Sequence, residues 1–315
     1  DTDRSRGLGD VYKRQAYDII KQKTDLGLDL VPYPQIFNDV NNQKAEVILY
    51  RPTGESGDFE KANFPIGVEG GKTSTCPTQN LMEAYDMKDG TPFVWNNQSN
   101  PYDNRDPRMK YTIVCNEMKW PVDPVEIWEG GTNGLPLQNA TTTGYYLKKY
   151  VNNTISFEAG STVTKKQHNW VLFRYGEILL NYAEAMINAF HDPNYKDAVY
   201  NMSAREAVNQ IRGRTNISLP GFPSDITEKD FVKRLKNERR VELAFEGHRF
   251  WDVRRWKELG QTANIYGVKI TKNNEVISYE KFLLETRAVT DNMYFYPIPN
   301  TERFKNPNLG QNPGW

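Results

Sequence analysis

Three glutamates in the stretch "NERRVELAFEGHRFWDVRRW", Glu238, Glu242 and Glu246, stand four residues apart, which places their carboxylates on one face of a helix. A pair of carboxyl groups can do acid–base work on a glycosidic bond. Here, however, each acid has arginines nearby, Arg239, Arg240 and Arg249. A carboxylate paired with arginine stays ionised to low pH, the wrong state for a general acid. The spacing therefore predicts a structural ion-pair network, with Arg174, Glu177 and Glu184 as further members. No catalytic residue is assigned.

Other reactive residue types are sparse. His168, His191 and His248 lie far apart with no HExxH pattern, so no metal site is expected. "GVEGGKTS" ends like a phosphate loop, but Ile66 stands where its first glycine belongs and Pro77 interrupts the helix that should follow. No cofactor is implied. Cys76 and Cys115 are too few for a disulfide framework; they form one pair or remain two thiols. Arginines interleaved with rings suit nucleic acid, but Glu238, Glu242, Glu246 and Asp252 would repel phosphate at close range. The whole chain of 315 residues balances 40 basic against 40 acidic side chains, so nothing draws it to polyanions globally. Nucleic acid is excluded as a partner.

Aromatic residues are the remaining candidates. "TPFVWNNQSNPYDNRD" supplies Trp95, Asn96, Asn97, Tyr102 and Arg105 within one loop, and Trp120 and Trp128 follow in the same breaker-rich region. A sugar offers apolar C–H faces and hydroxyls, which an aromatic platform with amide or guanidinium neighbours can hold. The alternative for Trp95 is a buried loop anchor.

These residues must be positioned by the surrounding elements. The opening "DTDRSRGLGDVYKRQ" lacks apolar periodicity, and "DVYKRQ" back-translates to a transposon mosaic end used in sequencing adaptors. Residues 1–15 are therefore read as an adaptor artefact or a disordered tail, with the natural start and any export signal missing. Residues 16–168 are read as an irregular region with short helices and strands. Strands are expected at Ala45–Arg51, in "YTIVCN" and in "GYYLKKYV". From 169 to 315 the pattern turns helical. One helix is expected over Trp170–Phe190 and a second around Lys196–Arg212. A third is capped by Thr227 and continues through the opening stretch to about Gly247 or slightly beyond, its rings following helix spacing inside the scaffold. A Pro/Asn-rich tail should wrap over the body. The fold class is mainly α, with helix–turn–helix pairs of tetratricopeptide size and a long irregular region containing short strands.

Taken together, "RYGEILLNYAEA", "NERRVELAFEGHRFWDVRRW", "YFYPIP", "NPNLGQNPGW", "DPRM" and "KAEVILYRP" resemble the SusD/RagB family. The resemblance covers residues 16–315, as the C-terminal part of a longer protein. It implies a tetratricopeptide-like scaffold and non-catalytic capture of an oligosaccharide, a polysaccharide or another nutrient. It also implies outer-membrane, cell-surface localisation through a lipidated cysteine absent from this chain, and delivery to a TonB-dependent, SusC-like outer-membrane transporter. The ligand residues are not carried over from the family; they remain a reading of the aromatic loop. Two alternatives are weighed beside it: a helical-repeat interaction module without sugar binding, and a glycoside hydrolase.

Overall fold

The computed structural model describes residues 2–37, 45–96, 100–158 and 164–315, with backbone alone for residues 2–10. The elements are α1 (Thr2–Lys21), β1 (Val47–Ser56), α2 (Asp58–Asn63), α3 (Gln79–Met82), α4 (Pro107–Thr112), β2 (Ile113–Val114), β3 (Tyr146–Leu147) and β4 (Lys166–Arg174). They continue with α5 (Tyr175–Phe190), α6 (Ala204–Arg212), α7 (Glu228–Glu242), α8 (His248–Arg255), β5 (Asn264–Asn273), β6 (Val276–Thr286) and α9 (Asn300–Lys305). With 32% of residues in helices and 17% in strands, the fold is helical and mixed rather than mainly α.

Helix α5 is the axis of the helical half. Its apolar face, with Leu179, Leu180, Ala183 and Met186, is buried against Ala207, Val208 and Ile211 of α6 and Phe231 and Leu235 of α7. Residues 2–15 are the first turns of α1. They are followed by Ala16 and Tyr17, which enter the same core. Tyr17 stacks on Tyr182 at 5.5 Å, and Tyr17 Oη donates to Asn201 Oδ1 at 2.5 Å.

Local chemistry moves several boundaries. The helix expected from Trp170 begins at Tyr175, because Lys166–Arg174 is instead strand β4, antiparallel to β1. β1 itself continues past Pro52 and Gly54, absorbing them as register shifts between Pro52 and Glu55. The second helix starts at Ala204 rather than Lys196. A capping box between Ser203 and Glu206 sets its start, and Asp197 Oδ1 turns the preceding chain by accepting from Val199 N and Tyr200 N. Thr227 caps α7 by accepting from Asp230 N at 3.2 Å. The helix expected to run on toward Gly247 stops at Glu242. Phe245 and Gly247 both have left-handed backbone, φ 61° and 84°, and the chain restarts as α8.

Two strand pairs and a tail complete the fold. β2 pairs with β3 inside an aromatic core around Tyr85, Tyr145 and Tyr146. The long antiparallel hairpin β5–β6 was not expected from the sequence, although Asn274, at φ 54°, marks its turn between alternating Val268, Ile270 and Ile277, Tyr279. The tail after β6 has no buried residue. It folds mainly on itself, with Gln311 bonding Ile298 and Trp315 Nε1 donating to Asn292 O, and touches the body where Tyr296 stacks on Phe250 at 5.8 Å.

Candidate functional site

Helix α7 presents two charged faces. On the inner face, Glu238 and Glu242 meet arginines from three other segments. Arg108 Nη1 donates to Glu238 Oε1 at 2.6 Å and to Glu242 Oε2 at 2.8 Å, while its Nη2 binds Asp106 at 2.7 Å. Arg174 reaches Glu46 at 2.7 Å, Glu242 at 2.8 Å and Glu246 at 2.7 Å. Arg214 binds Glu46 and Glu242, Arg212 binds Glu238 at 2.8 Å, and Lys149 donates to Glu246 at 2.7 Å. All these side chains are 3% exposed or less. Burial alone would raise the Glu242 carboxyl, but Arg214, Arg174 and Arg108 hold it far below the ordinary carboxylate range. A carboxylate locked in the ionised form has no proton to donate as a general acid.

Glu177, Glu184 and Arg239 lie beside this network in a second cluster. Arg239 Nε pairs with Asp252 at 3.3 Å and Nη1 donates to Asn181 at 2.7 Å; Glu184 binds Arg255 and accepts from Trp256 Nε1; Glu177 faces His248 Nε2 at 3.7 Å. Arg249 joins neither cluster. The turn at Phe245–Gly247 aims the start of α8 the other way, and Arg249 Nη2 donates to the side chain of Gln261 at 2.8 Å.

On the outer face of α7 lies a cleft of about 460 Å³, walled by Glu83, Asp86, Pro92 and Phe93 and closed by Arg249 and Gln261. Its floor is a basic stripe: Lys229, Lys233, Lys236 and Arg240 follow one another at steps of four, three and four. The helix also fixes the opposite wall. Arg240 Nη2 donates to Asn80 O at 2.8 Å, Asn237 Nδ2 to Ala84 O at 2.7 Å, and Arg234 Nη2 to Gly90 O at 3.0 Å. That wall is a tight turn in which Asp89 Oδ1 accepts from Thr91 N at 2.9 Å and Gly90 takes φ 82°, a backbone that side chains rarely adopt.

The aromatic residues divide on this geometry. Trp95 is half-buried and packs edge-on against Phe93, centroids 6.4 Å apart, beside the cleft; Asn96 is exposed next to it. Asn97 lies outside the described residues. Trp128 is half-buried elsewhere, under Lys272 of β5 at 4.4 Å. Three expected ligand residues are core pieces instead: Tyr102 is 6% exposed, Trp120 4% and Arg105 3%. Tyr102 packs against Tyr279 and Trp120 against Phe64, because a large ring in a breaker-rich loop is the apolar mass available to bury there. Arg105 satisfies the carbonyls of Pro101, Met82 and Tyr85 at 2.6–2.7 Å, and its guanidinium lies 3.6 Å behind the Phe93 ring. It positions Phe93 from behind.

Sequence reasoning missed Phe93 and the basic stripe, although the stripe's spacing was legible. It also placed the rings of the opening stretch inside. Phe250 is 39% exposed and Trp251 58%, and together with Tyr296 they form an aromatic surface on α8. The apolar residues this segment buries are the smaller ones, Val241, Leu243, Ala244 and Val253, and charge takes the rest of its inner side. Cys76 and Cys115 are both free thiols.

Comparison with known proteins supplies the context. A family model described as SusD family matches residues 36–315. The chain is 29% identical over 163 residues to SusD-like protein P2 of Formosa agariphila, a match spanning 50% of this chain and 28% of that protein. Among solved structures it is similar to a SusD-like protein of Bacteroides fragilis, with TM-score 0.78 and 26% identity over 96% of this chain and 63% of that one. A SusD-like carbohydrate binding protein of the same organism follows, with TM-score 0.74 and 24% identity over the same shares of each chain.

Proposed function

The chain belongs to the SusD/RagB family, and from that premise we propose that it captures glycan at the cell surface without catalysis and passes it to a TonB-dependent outer-membrane transporter. The observation that carries the ligand part is the pairing of Phe93 and Trp95 beside a cleft lined with amide and guanidinium groups. A ring for the sugar's C–H face and donors for its hydroxyls are the two elements that saccharide recognition needs. The relative described as carbohydrate binding shares the fold at 24% identity; at that distance it supports the architecture, and the ligand reading rests on these residues.

Absence of chemistry in the reading follows from the carboxylates. The acids of α7's inner face are buried and held by arginines, so they bind structure rather than protons. Attachment at the outer membrane through a lipidated segment of a longer protein is supported by family membership. Among the described residues no helix is long and apolar enough to cross a membrane. Affinity electrophoresis against a panel of polysaccharides tests capture: retardation by at least one glycan is expected, and mobility unchanged on every glycan would refute it. Co-purification with a transporter tests delivery separately.

A further inference from the structure

We propose that the cleft on the outer face of α7 receives an anionic group of the saccharide, a carboxylate or a sulfate ester, between Arg240 and Arg249, and so selects acidic over neutral glycans. The proposal rests on the glycan-capture reading above and names the class of glycan.

The argument is an accounting of charge. Six basic side chains line the cleft against three acidic ones. All three acids are already engaged: Glu258 with Lys236 at 2.6 Å, Glu83 with Lys281 at 2.8 Å, and Asp86 with Arg212 at 3.4 Å and Arg234 at 3.8 Å. Arg240 and Arg249 have no carboxylate in ion-pair range among the described residues; each spends one Nη2 donor on a neutral oxygen, Asn80 O and Gln261 Oε1. The two acids nearest in sequence to Arg249 are also taken, Glu246 by Arg174 and Lys149 and Asp252 by Arg239 and Arg255. Both guanidiniums are half-buried, and each feels the loss of water, which Glu83 at longer range from Arg240, and Asp252 and Glu258 at longer range from Arg249, do not offset.

Among the described residues, the buried arginines elsewhere each commit two or more donors to acid or carbonyl partners. Arg108, Arg174, Arg212 and Arg214 each bind one or more carboxylates, and Arg105 takes three carbonyls. Two partly desolvated cations side by side cost free energy unless an anion joins them. A guanidinium presents a planar fork that matches carboxylate and sulfate oxygens in a bidentate way, which makes a pair of arginines the fitting receptor for either group. Lys229 and Lys233, exposed on the same stripe, extend the positive field to the mouth, where a chain with repeated charges would continue. Phe93 and Trp95 stand beside the same cleft, so one saccharide can meet ring and arginine together.

The test uses the full chain and three polysaccharides of related backbone: polygalacturonate, a sulfated galactan and a neutral galactan, in affinity electrophoresis and titration calorimetry. Retention of one or both acidic polymers, with the neutral one at least about tenfold weaker, is expected, as is a further loss of about tenfold in Arg240→Gln and Arg249→Gln. Salt should weaken the acidic ligand alone. Which acidic polymer is retained distinguishes carboxylate from sulfate. Equal or tighter binding of the neutral galactan overturns the proposal while leaving glycan capture standing. So does unchanged affinity of both arginine variants. Binding to none of the three, with retention on a wider neutral panel, likewise overturns the proposal alone; retention on no glycan at all overturns capture as well. Matching thermal unfolding of the variants separates lost binding from lost fold.

Discussion

Arg239 and Arg240 are consecutive in α7 and stand in different company. Arg239 faces inward to Asp252 and Asn181 and is 3% exposed; Arg240 faces the cleft and, among the described residues, donates to a backbone carbonyl with no carboxylate in ion-pair range. The inner face of the helix is an almost closed system. Glu238 and Glu242 satisfy arginines from α4, β4 and α6 and the residues just after it, so that one helix ties four segments together. The outer face is an open system in which acids are spent and cations remain. Buried charge is costly, and it persists where it is paired. Paired charge therefore marks what the fold needs, and unpaired charge marks what the fold leaves for something else.

The largest effect is expected on the closed side. Glu242→Gln leaves Arg108, Arg174 and Arg214 short of a common anion and should cost about 3–5 kcal/mol, the penalty for breaking a buried ion pair from one side. Urea unfolding monitored by tryptophan fluorescence measures it; an unchanged midpoint would show that the network is not what holds these segments. Acid should act on the same groups. Glu238, Glu242 and Glu246 all have carboxyls lowered from their ordinary value of 4.5, burial opposing and arginines prevailing. Below pH 4.5 the unfolded chain takes up protons that the folded chain refuses, so stability falls as pH falls and is full at neutral pH. Thermal unfolding between pH 7 and pH 3 should show this slope, and Glu242→Gln should flatten it.

Much of the closed side was legible in sequence, and the reason is geometric. Residues at i, i+4 and i+8 must share a helical face, and arginines beside them can hardly avoid them. What could not be read was the set of distant partners, Glu46, Arg108, Arg212, Arg214 and Lys149, since nothing local says which segments converge. The open side was harder. Trp95 was read as a ligand residue from composition, and the same reasoning took in Tyr102, Trp120 and Arg105, which are buried, because an aromatic or arginine in a loop looks the same whether the loop folds inward or outward. The rings of Phe250 and Trp251 were misplaced for the opposite reason: helix periodicity gives a face but not which face is the interior, and on α8 the buried side is Asp252 and Val253. The end of α7 escaped notice because Phe245, not a glycine, takes the first left-handed position.

Smaller effects sharpen the open side. Trp95→Ala should weaken every bound glycan several-fold, about 1 kcal/mol for one lost ring contact, whatever its charge. An unchanged affinity would make Trp95 a loop anchor only. Asp86 offers the finest test. Burial outweighs Arg212 and Arg234 and raises its carboxyl to about 6, with Glu238 and Asp106 adding to the rise. As pH falls from 7 to 5 Asp86 takes a proton and the cleft becomes more positive, while a sulfate ester keeps its charge. Affinity for a sulfated glycan should therefore rise modestly, and Asp86→Asn should bind tightly at both pH values. The sign for stability is the reverse of that for the glutamates: between 3.8 and about 6 the folded state holds the extra proton, so this group's contribution is lost as pH rises.

The central claim is that the two faces of one helix divide fold from ligand, and Glu242→Gln measured beside Arg240→Gln tests it directly. Both variants are followed by thermal unfolding and by titration with an acidic polysaccharide at a temperature where both remain folded. Glu242→Gln should lower the melting temperature and keep its affinity; Arg240→Gln, which gives up one bond to Asn80 O, should lower it far less and lose about tenfold in affinity. The reverse pattern, or both variants losing stability and binding together, would contradict it.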